Sequence, residues 1–319
     1  CLDDARRLSE KDVIKLWQQP LAKPVEVSDL RIAYLDEHLL VVEKPAGVTS
    51  VRHFAERKLS TRRRQLQPTL EELLPPVLAK IQRLRWPPLP PKGMNRGKRH
   101  GQQVGGVNRR TADKHRLPIQ NAKKLPPELQ VIPVHRLDRD TSGLMLFART
   151  LAAEQKLVAM FRRHTIEREY MGVCLGHIQP QTLESLLVRD RGDSIRGSLS
   201  PTADAAAQAS GKKAVTHIIE AETFESREHQ PYTLVRCKLE TGRTHQIRIH
   251  LAEAGHMLCG DKIYYRQADG NLTQDPSGAP RHALHSDRLS FTHPFTGQQL
   301  KLEMALPRDL AIWLDKLRG

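Results

Sequence analysis

Apolar positions along this chain come mostly in short alternating or continuous runs, bounded by turn residues. LRIAYLDEHLLVVEKPAG, positions 30 to 47, holds two such runs around Asp-Glu-His and stops at Lys44, Pro45 and Gly47. It predicts two strands joined by a turn. PTLEELLPPVLAKIQRL carries leucines at helical intervals behind Thr69 and Glu72 in capping-box spacing, while Pro75 and Pro76 are expected to interrupt or restart the helix. GLMLFAR, 143 to 149, is apolar enough for a buried strand. Thr150 then caps a helix whose apolar face is Leu157, Val158 and Phe161.

TIEREYMGVCLG and GKKAVTHIIEAETF are strand-like, and YTLVRCKLE alternates with Thr233, Val235, Cys237 and Leu239 on one side. GRTHQIRIHLAEAG suits a helix with Thr244 near its cap, Ile247 and Leu251 inward, and Gly255 as its stop. QLKLEMALP alternates Leu300, Leu302, Met304 and Leu306, and PRDLAIWLDKLR is amphipathic. Strands without regular βαβ alternation define an α+β fold, a mixed, mainly antiparallel sheet flanked by helices. No internal repeat is visible.

Between Trp86 and Pro133 the pattern dissolves into Pro, Gly and cations, with too few apolar residues to offset the entropy of ordering. We read residues 86 to 130 as a basic insertion, residues 1 to 29 as an N-terminal extension, and 30 to 319 as one domain. Charge reinforces this division. The chain has a formal charge of +15, and from Val51 to Gln130 there are 19 Lys or Arg against 5 Asp or Glu, a net of +14. The remainder is nearly neutral. So concentrated a basic block points to a polyanion, nucleic acid first, rather than to a merely solvated segment.

No run reaches the ~18 apolar residues of a membrane span, and the charged N-terminus carries no export signal, so a soluble, cytoplasmic protein with no membrane partner is expected. The absent initiator Met indicates a trimmed or partial chain. Four scattered cysteines without a CxxC pair argue against a zinc knuckle and a disulfide framework and fit a reducing compartment. The 15 histidines include no HExxH helix. Metal-ligand spacing and a phosphate-cradling loop are both missing from the sequence.

One stretch combines chemistry-bearing residues in a turn: HRLDRDTSG, 135 to 143. By itself it fits a surface turn with a solvated ion pair. Taken with LLVVEKPAG, ETGRTHQIRIHLAEAGHMLCGDKIYY and ALHSDRLSFTHPFTG, in that order, it resembles the RluA-type pseudouridine synthases over about positions 30 to 60 and 130 to 307. The long basic segment before His135 departs from the family's shorter connection, and the stretch before Leu30 is too short for an S4-type RNA-binding module.

The resemblance implies a pseudouridine synthase fold with a central cleft and an isomerisation of uridine in ribosomal or transfer RNA. The base is detached from the sugar, turned and rejoined through carbon, and nothing enters or leaves, so the resemblance implies no cofactor: no redox carrier, phosphate donor or metal is needed. It implies Asp138 as the catalytic aspartate, Tyr170 as the active-site tyrosine and Arg248 as the arginine paired with that aspartate. The residue types suit the chemistry. A carboxylate acting on ribose or uracil needs an opposite charge beside it in a closed pocket, and a tyrosine offers a ring for stacking and a phenol for proton transfer.

Arg136 matches an arginine that displaces the target nucleotide and holds RNA. Arg243 and His245 are expected at phosphate, Gln246 and His250 less so. His135 either fixes the loop or touches RNA, and Lys44 either contacts RNA or is structural. Arg139 and Asp140 brace the turn, Thr141, Ser142 and Gly143 shape the loop, and Gly143 takes an angle other residues avoid. RNA is the one expected partner, with a monomer as the default. Two rivals remain: a non-catalytic RNA-binding or ribosome-assembly protein on the same fold, which would have lost the aspartate, tyrosine or distal arginine, and a metal-dependent hydrolase using Asp138, Asp140 and histidines.

Overall fold

A computed structural model describes residues 30–52, 68–87, 125–190, 195–199, 205–265 and 275–319. The N-terminal extension and nearly all of the basic insertion lie outside the described residues.

The predicted hairpin is present as β1 (Arg31–Leu35) and β2 (Leu39–Lys44), paired antiparallel. Asp36 makes the turn by accepting from the amides of His38 and Leu39 at 2.7 and 2.8 Å. The leucine-rich helix α1 (Leu70–Ile81) is followed, beyond the insertion, by a short β3 (Ile132–Pro133), then β4 (Ser142–Ala148) and α2 (Leu151–Arg162). β5 (Glu167–Leu175), β6 (Gln181–Val188), β7 (Gly197–Ser198), α3 (Ala205–Ser210), β8 (Lys212–Glu225) and β9 (Pro231–Leu239) continue the chain. It ends with α4 (Gln246–Glu253), β10 (Leu284–Thr292), β11 (Gln299–Glu303) and α5 (Arg308–Arg318).

The strands form one sheet in the order β1-β2-β4-β10-β5-β9-β8-β6-β7, with β11 on β10 and β3 on β4. Every pairing is antiparallel except the short β4–β10 contact, where Ser142 and Gly143 lie beside His285 and Ser286. The fold is α+β with a mixed, mainly antiparallel sheet, as the strand spacing implies.

Period-two alternation splits the core across the sheet. Leu40 and Val42 of β2 and Met145 and Phe147 of β4 face one apolar cluster with α1 and α4; Leu39, Val41, Leu144 and Leu146 face a second with α2 and β10. All seven residues of β4 are buried, so this strand is the spine of both cores. Thr150 caps α2, its side chain accepting from the Ala153 amide at 3.1 Å. Thr233, Val235, Cys237 and Leu239 are all buried, as their alternation requires. Gly255, at φ 85°, ends α4.

The expected break at Pro75 and Pro76 does not occur: α1 runs unbroken through both. Each proline forfeits a backbone hydrogen bond, at a cost of about 3 kcal/mol in a helix interior. Two features offset this. Eight residues of the helix, both prolines included, are buried, and its first turn is fixed by Glu72. That carboxylate accepts from the Thr69 amide at 2.9 Å and from Arg52 at 3.0 and 2.6 Å. A second small shift concerns α4, whose cap is His245, one residue beyond Thr244.

Gly143 sits where the sheet changes direction. Its φ is 130°, and a Cβ there would lie 2.3 Å from the Ser286 carbonyl oxygen. No side chain fits while β4 and β10 stay in register. Replacing Gly143 with Ala should destabilise the protein by about 2 kcal/mol or more, read as a lower denaturation midpoint at constant m-value; an unchanged midpoint would show that this contact is not tight.

Candidate active site

The loop carrying HRLDRDTSG enters β4 at the parallel β4–β10 junction and is tied down on both sides of Asp138. Ser50 Oγ donates to the Leu137 carbonyl at 2.6 Å and accepts from the Leu137 amide at 3.1 Å. Gly47 N–H donates to the Arg139 carbonyl at 2.9 Å, and Arg139 Nε returns a bond to the Gly47 carbonyl at 3.1 Å. Lys44 Nζ donates to the carbonyls of Pro45, Arg139 and Thr141 at 3.0, 2.9 and 2.7 Å. On the other side, Thr141 Oγ1 meets His282 Nε2 at 2.8 Å, and Arg281 Nη1 donates to the Asp140 carbonyl at 2.9 Å.

Lys44 therefore corrects the RNA-contact expectation. Its side chain is fully buried, and its three protons meet three carbonyl oxygens, the pattern of a loop anchor. Burial pulls its pKa down to about 7, against the pull of Asp140 and Asp138.

Asp138 faces a cleft of about 460 Å³, a size suited to a small organic ligand. Tyr170, Arg248, Arg136, His135, Arg243 and His245 line the same cleft, so seven of the eight expected side chains converge, from β5, α4 and the two loops. Arg248 Nη1 donates to Asp138 Oδ2 at 3.1 Å. The rest of its guanidinium is held by a residue that sequence reasoning did not single out. Asp261 accepts from Arg248 Nε at 2.6 Å and Nη2 at 2.9 Å, and its Oδ1 also accepts from the amides of Ile263 and Tyr264 at 2.8 and 3.0 Å. The Arg248 guanidinium keeps the Asp261 carboxyl below the usual carboxylate range despite burial. The only signal in the sequence was GDKIYY, a polar turn inside a matching segment.

His245 adopts a left-handed backbone at φ 60°, a conformation His enters more readily than most residues. Its Nε2 lies 3.8 Å from Asp138 Oδ2, and its Nδ1 shares a 2.8 Å hydrogen bond with the Tyr264 hydroxyl. Burial lowers its pKa, Asp138 opposing. Tyr170 is buried, which raises its phenol pKa and keeps it protonated. Arg136 is exposed at the cleft. Arg243 is exposed too, its Nε donating to the Lys213 carbonyl at 3.1 Å.

His135 is a wall residue. Its Nε2 accepts the Leu146 amide at 2.9 Å, which places its single proton on Nδ1, and burial, with the Arg168 charge adding to it, pushes its pKa down to about 3. Gln246 and His250 are buried and bonded to β8, Gln246 to the Val215 carbonyl and both to Thr216, so they position α4. Among the described residues no group of three or more His, Cys, Asp or Glu side chains could hold a metal ion, and no helix is long and apolar enough to cross a membrane.

A carboxylate, a guanidinium locked by a second carboxylate and a tyrosine ring are thus gathered on one cleft beside several arginines, residue types capable of acid–base or nucleophilic chemistry. The family model described as RNA pseudouridylate synthase matches residues 91–253. Ribosomal large subunit pseudouridine synthase D of Nitrosomonas europaea is 38% identical over 203 residues, which cover 60% of this chain and 54% of that protein. The protein of the same name from Zymomonas mobilis subsp. mobilis is 33% identical over 304 residues, 93% of this chain and 77% of that one. Among solved structures, Human RNA Pseudouridylate Synthase Domain Containing 1 superposes with a TM-score of 0.56 at 20% identity, covering 90% of this chain and 87% of that one, a likeness of fold. The chain belongs to the RNA pseudouridylate synthase family, and it spans about half the length (54% and 50%) of the first curated relatives it matches.

Two outcomes follow from the buried groups. Asp261→Ala leaves Arg248, 5% exposed, without its bidentate partner; denaturant titration should show a loss of roughly 3–5 kcal/mol, and a loss below about 1 kcal/mol would contradict the locking role. Burial pushes the pKa of His135 down to about 3, and those of His250 and His282 to about 4, from 6.5. Between pH 6.5 and 4 the unfolded chain binds protons that the folded chain refuses. Stability is thus full above pH 6.5 and should fall by a few kcal/mol on the way to pH 4.5; a flat profile over that range would count against neutral, buried imidazoles.

Proposed function

We propose that this protein isomerises a uridine of ribosomal RNA to pseudouridine, with Asp138 as the catalytic carboxylate. The observation that carries the reading is the 3.1 Å contact of Arg248 with Asp138 at the cleft, beside Tyr170. Family membership supports the reaction class, and the names of the bacterial relatives support ribosomal over transfer RNA as the target.

The target nucleotide must leave its stack, since a base cannot be detached and rejoined while paired. Arg136, exposed at the cleft, takes the space the nucleotide vacates and contacts phosphate; Arg243 adds a backbone contact. Inside, the Asp138 carboxylate meets the ribose. It acts either on C1′ as a nucleophile or on the 2′ proton as a base, and both routes require an anion held in place, which Arg248 supplies. The N1–C1′ bond breaks, the uracil turns, C5 bonds to C1′, and the proton lost from C5 is balanced by one gained at N1. Tyr170 serves as the surface on which the freed uracil stacks. Burial favours its neutral phenol, so the stacking role takes precedence over that of a standing base. His245 holds the Tyr264 side of the pocket and faces the substrate near Asp138.

The non-catalytic alternative on the same fold is disfavoured because aspartate, tyrosine and arginine are all retained and converge. The test is release of tritium from RNA labelled at uridine C5, followed by mapping of pseudouridine in cells with and without the gene. Wild-type protein should release label, and Asp138→Asn should reduce the rate at least about 1,000-fold while the RNA dissociation constant stays within about 3-fold, because binding contacts are distributed. Turnover by Asp138→Asn near the wild-type rate would remove the aspartate from the mechanism.

A further inference from the structure

β5 sends alternate side chains to opposite faces of the sheet. Glu167 and Glu169 go one way, where Glu167 pairs with Lys238 at 2.6 Å and Glu169 with Arg236 and Arg288, each at 3.5 Å. Arg168 and Tyr170 go the other way, onto the cleft wall. The alternation therefore parts Arg168 from both carboxylates next to it in sequence.

Arg168 is 7% exposed, and its Nε is buried with no hydrogen-bond partner. Its guanidinium lies 5.2 Å from the Phe161 ring centroid, and a Cβ on Gly242 would come within 2.7 Å of its Nη1, so the group is wedged between α2 and the loop before α4. Beside it, the proton-bearing Nδ1 of His135 is likewise buried without a partner. Among the described residues no carboxylate answers the Arg168 charge. A sequestered cation with unused donors is a costly arrangement unless something that enters the cleft completes it. The two carboxylates lining this cleft are already engaged: Asp138 by Arg248, and Glu240 by His217 at 3.3 Å.

We propose that Arg168 is a binding residue for a backbone phosphate of the RNA nucleotide admitted to the cleft. A phosphodiester carries the full negative charge and the pair of acceptor oxygens that a planar guanidinium matches. Uracil offers only neutral carbonyls and would leave the charge unanswered. The proposal rests on RNA being the substrate, and it adds to the pocket a fixed anionic subsite beside Tyr170, separate from the exposed arginines at its rim.

The test is a binding cycle read by fluorescence anisotropy, using a synthetic RNA hairpin with one unpaired uridine. The hairpin is made with natural phosphates, or with a neutral methylphosphonate 5′ or 3′ of that uridine. On wild-type protein, one of the two neutral linkages should weaken binding about 10-fold. Arg168→Gln should weaken binding of the natural hairpin similarly and lower the slope of log affinity against log salt by about one. On that variant the sensitive linkage should cost nothing further, and Arg168→Lys should recover part of the loss. If both neutral linkages bind wild-type protein as tightly as the natural hairpin, the proposal is overturned whatever the variants do. Independent, multiplying losses from Arg168→Gln and from each linkage overturn it as well. Absence of any pseudouridine in the bound hairpin would sink the catalytic reading alone, since a non-additive loss between Arg168→Gln and one linkage still supports the phosphate contact.

Discussion

The site depends on how one guanidinium is divided. Arg248 gives two of its nitrogens to Asp261, and with the third reaches Asp138 across 3.1 Å. Because Asp261 is also held by two backbone amides of the loop after α4, the arginine has little freedom to turn. A planar fork fixed on one side presents a fixed donor on the other. Asp138 thus meets a positive charge whose position is set before any ligand arrives, the preorganisation that electrostatic stabilisation requires.

The carboxylate is placed with equal care by its own loop. Ser50, Gly47 and Lys44, all from the segment at and beyond the end of β2, grip the backbone at Leu137, Arg139 and Thr141, on either side of Asp138. The loop's far end runs straight into β4, the strand that both apolar clusters share. Stability and chemistry are joined here: the contacts that bury Lys44 also aim the carboxylate. A lysine inside a protein is expensive unless every proton is met, and here the loop carbonyls meet them.

Charge is sorted by the same geometry. On β5 the carboxylates at 167 and 169 turn toward cations on β9 and β10, while Arg168 turns toward the cleft, where Arg136 and Arg243 also stand. Strand alternation puts one face of β5 into an ion-pair network and turns its arginine to the cleft, where the two loop cations join it. The imidazole at 135, kept neutral, stands in the cleft wall without adding to its charge.

Much of this was legible in the amino-acid order. Alternation located β9, because a half-buried strand must repeat every two residues; apolar or strand-like runs bounded by turn residues located β2, β4 and β8, and the turn-rich HRLDRDTSG announced a loop carrying chemistry. The unbroken path of α1 through Pro75 and Pro76 was not legible, since local propensity does not register eight buried side chains. Nor was the burial of Lys44, which reads in sequence like any other cation. Asp261 escaped notice because it acts through Arg248, thirteen residues away and on a different element. The sequence by itself determined which residues alternate, where the chain turns and which side chains can do chemistry, all properties of neighbours along the chain. Only the tertiary structure decided which charges meet, because partnership between Asp138, Arg248 and Asp261, or the want of it at Arg168, is set by distances across the fold.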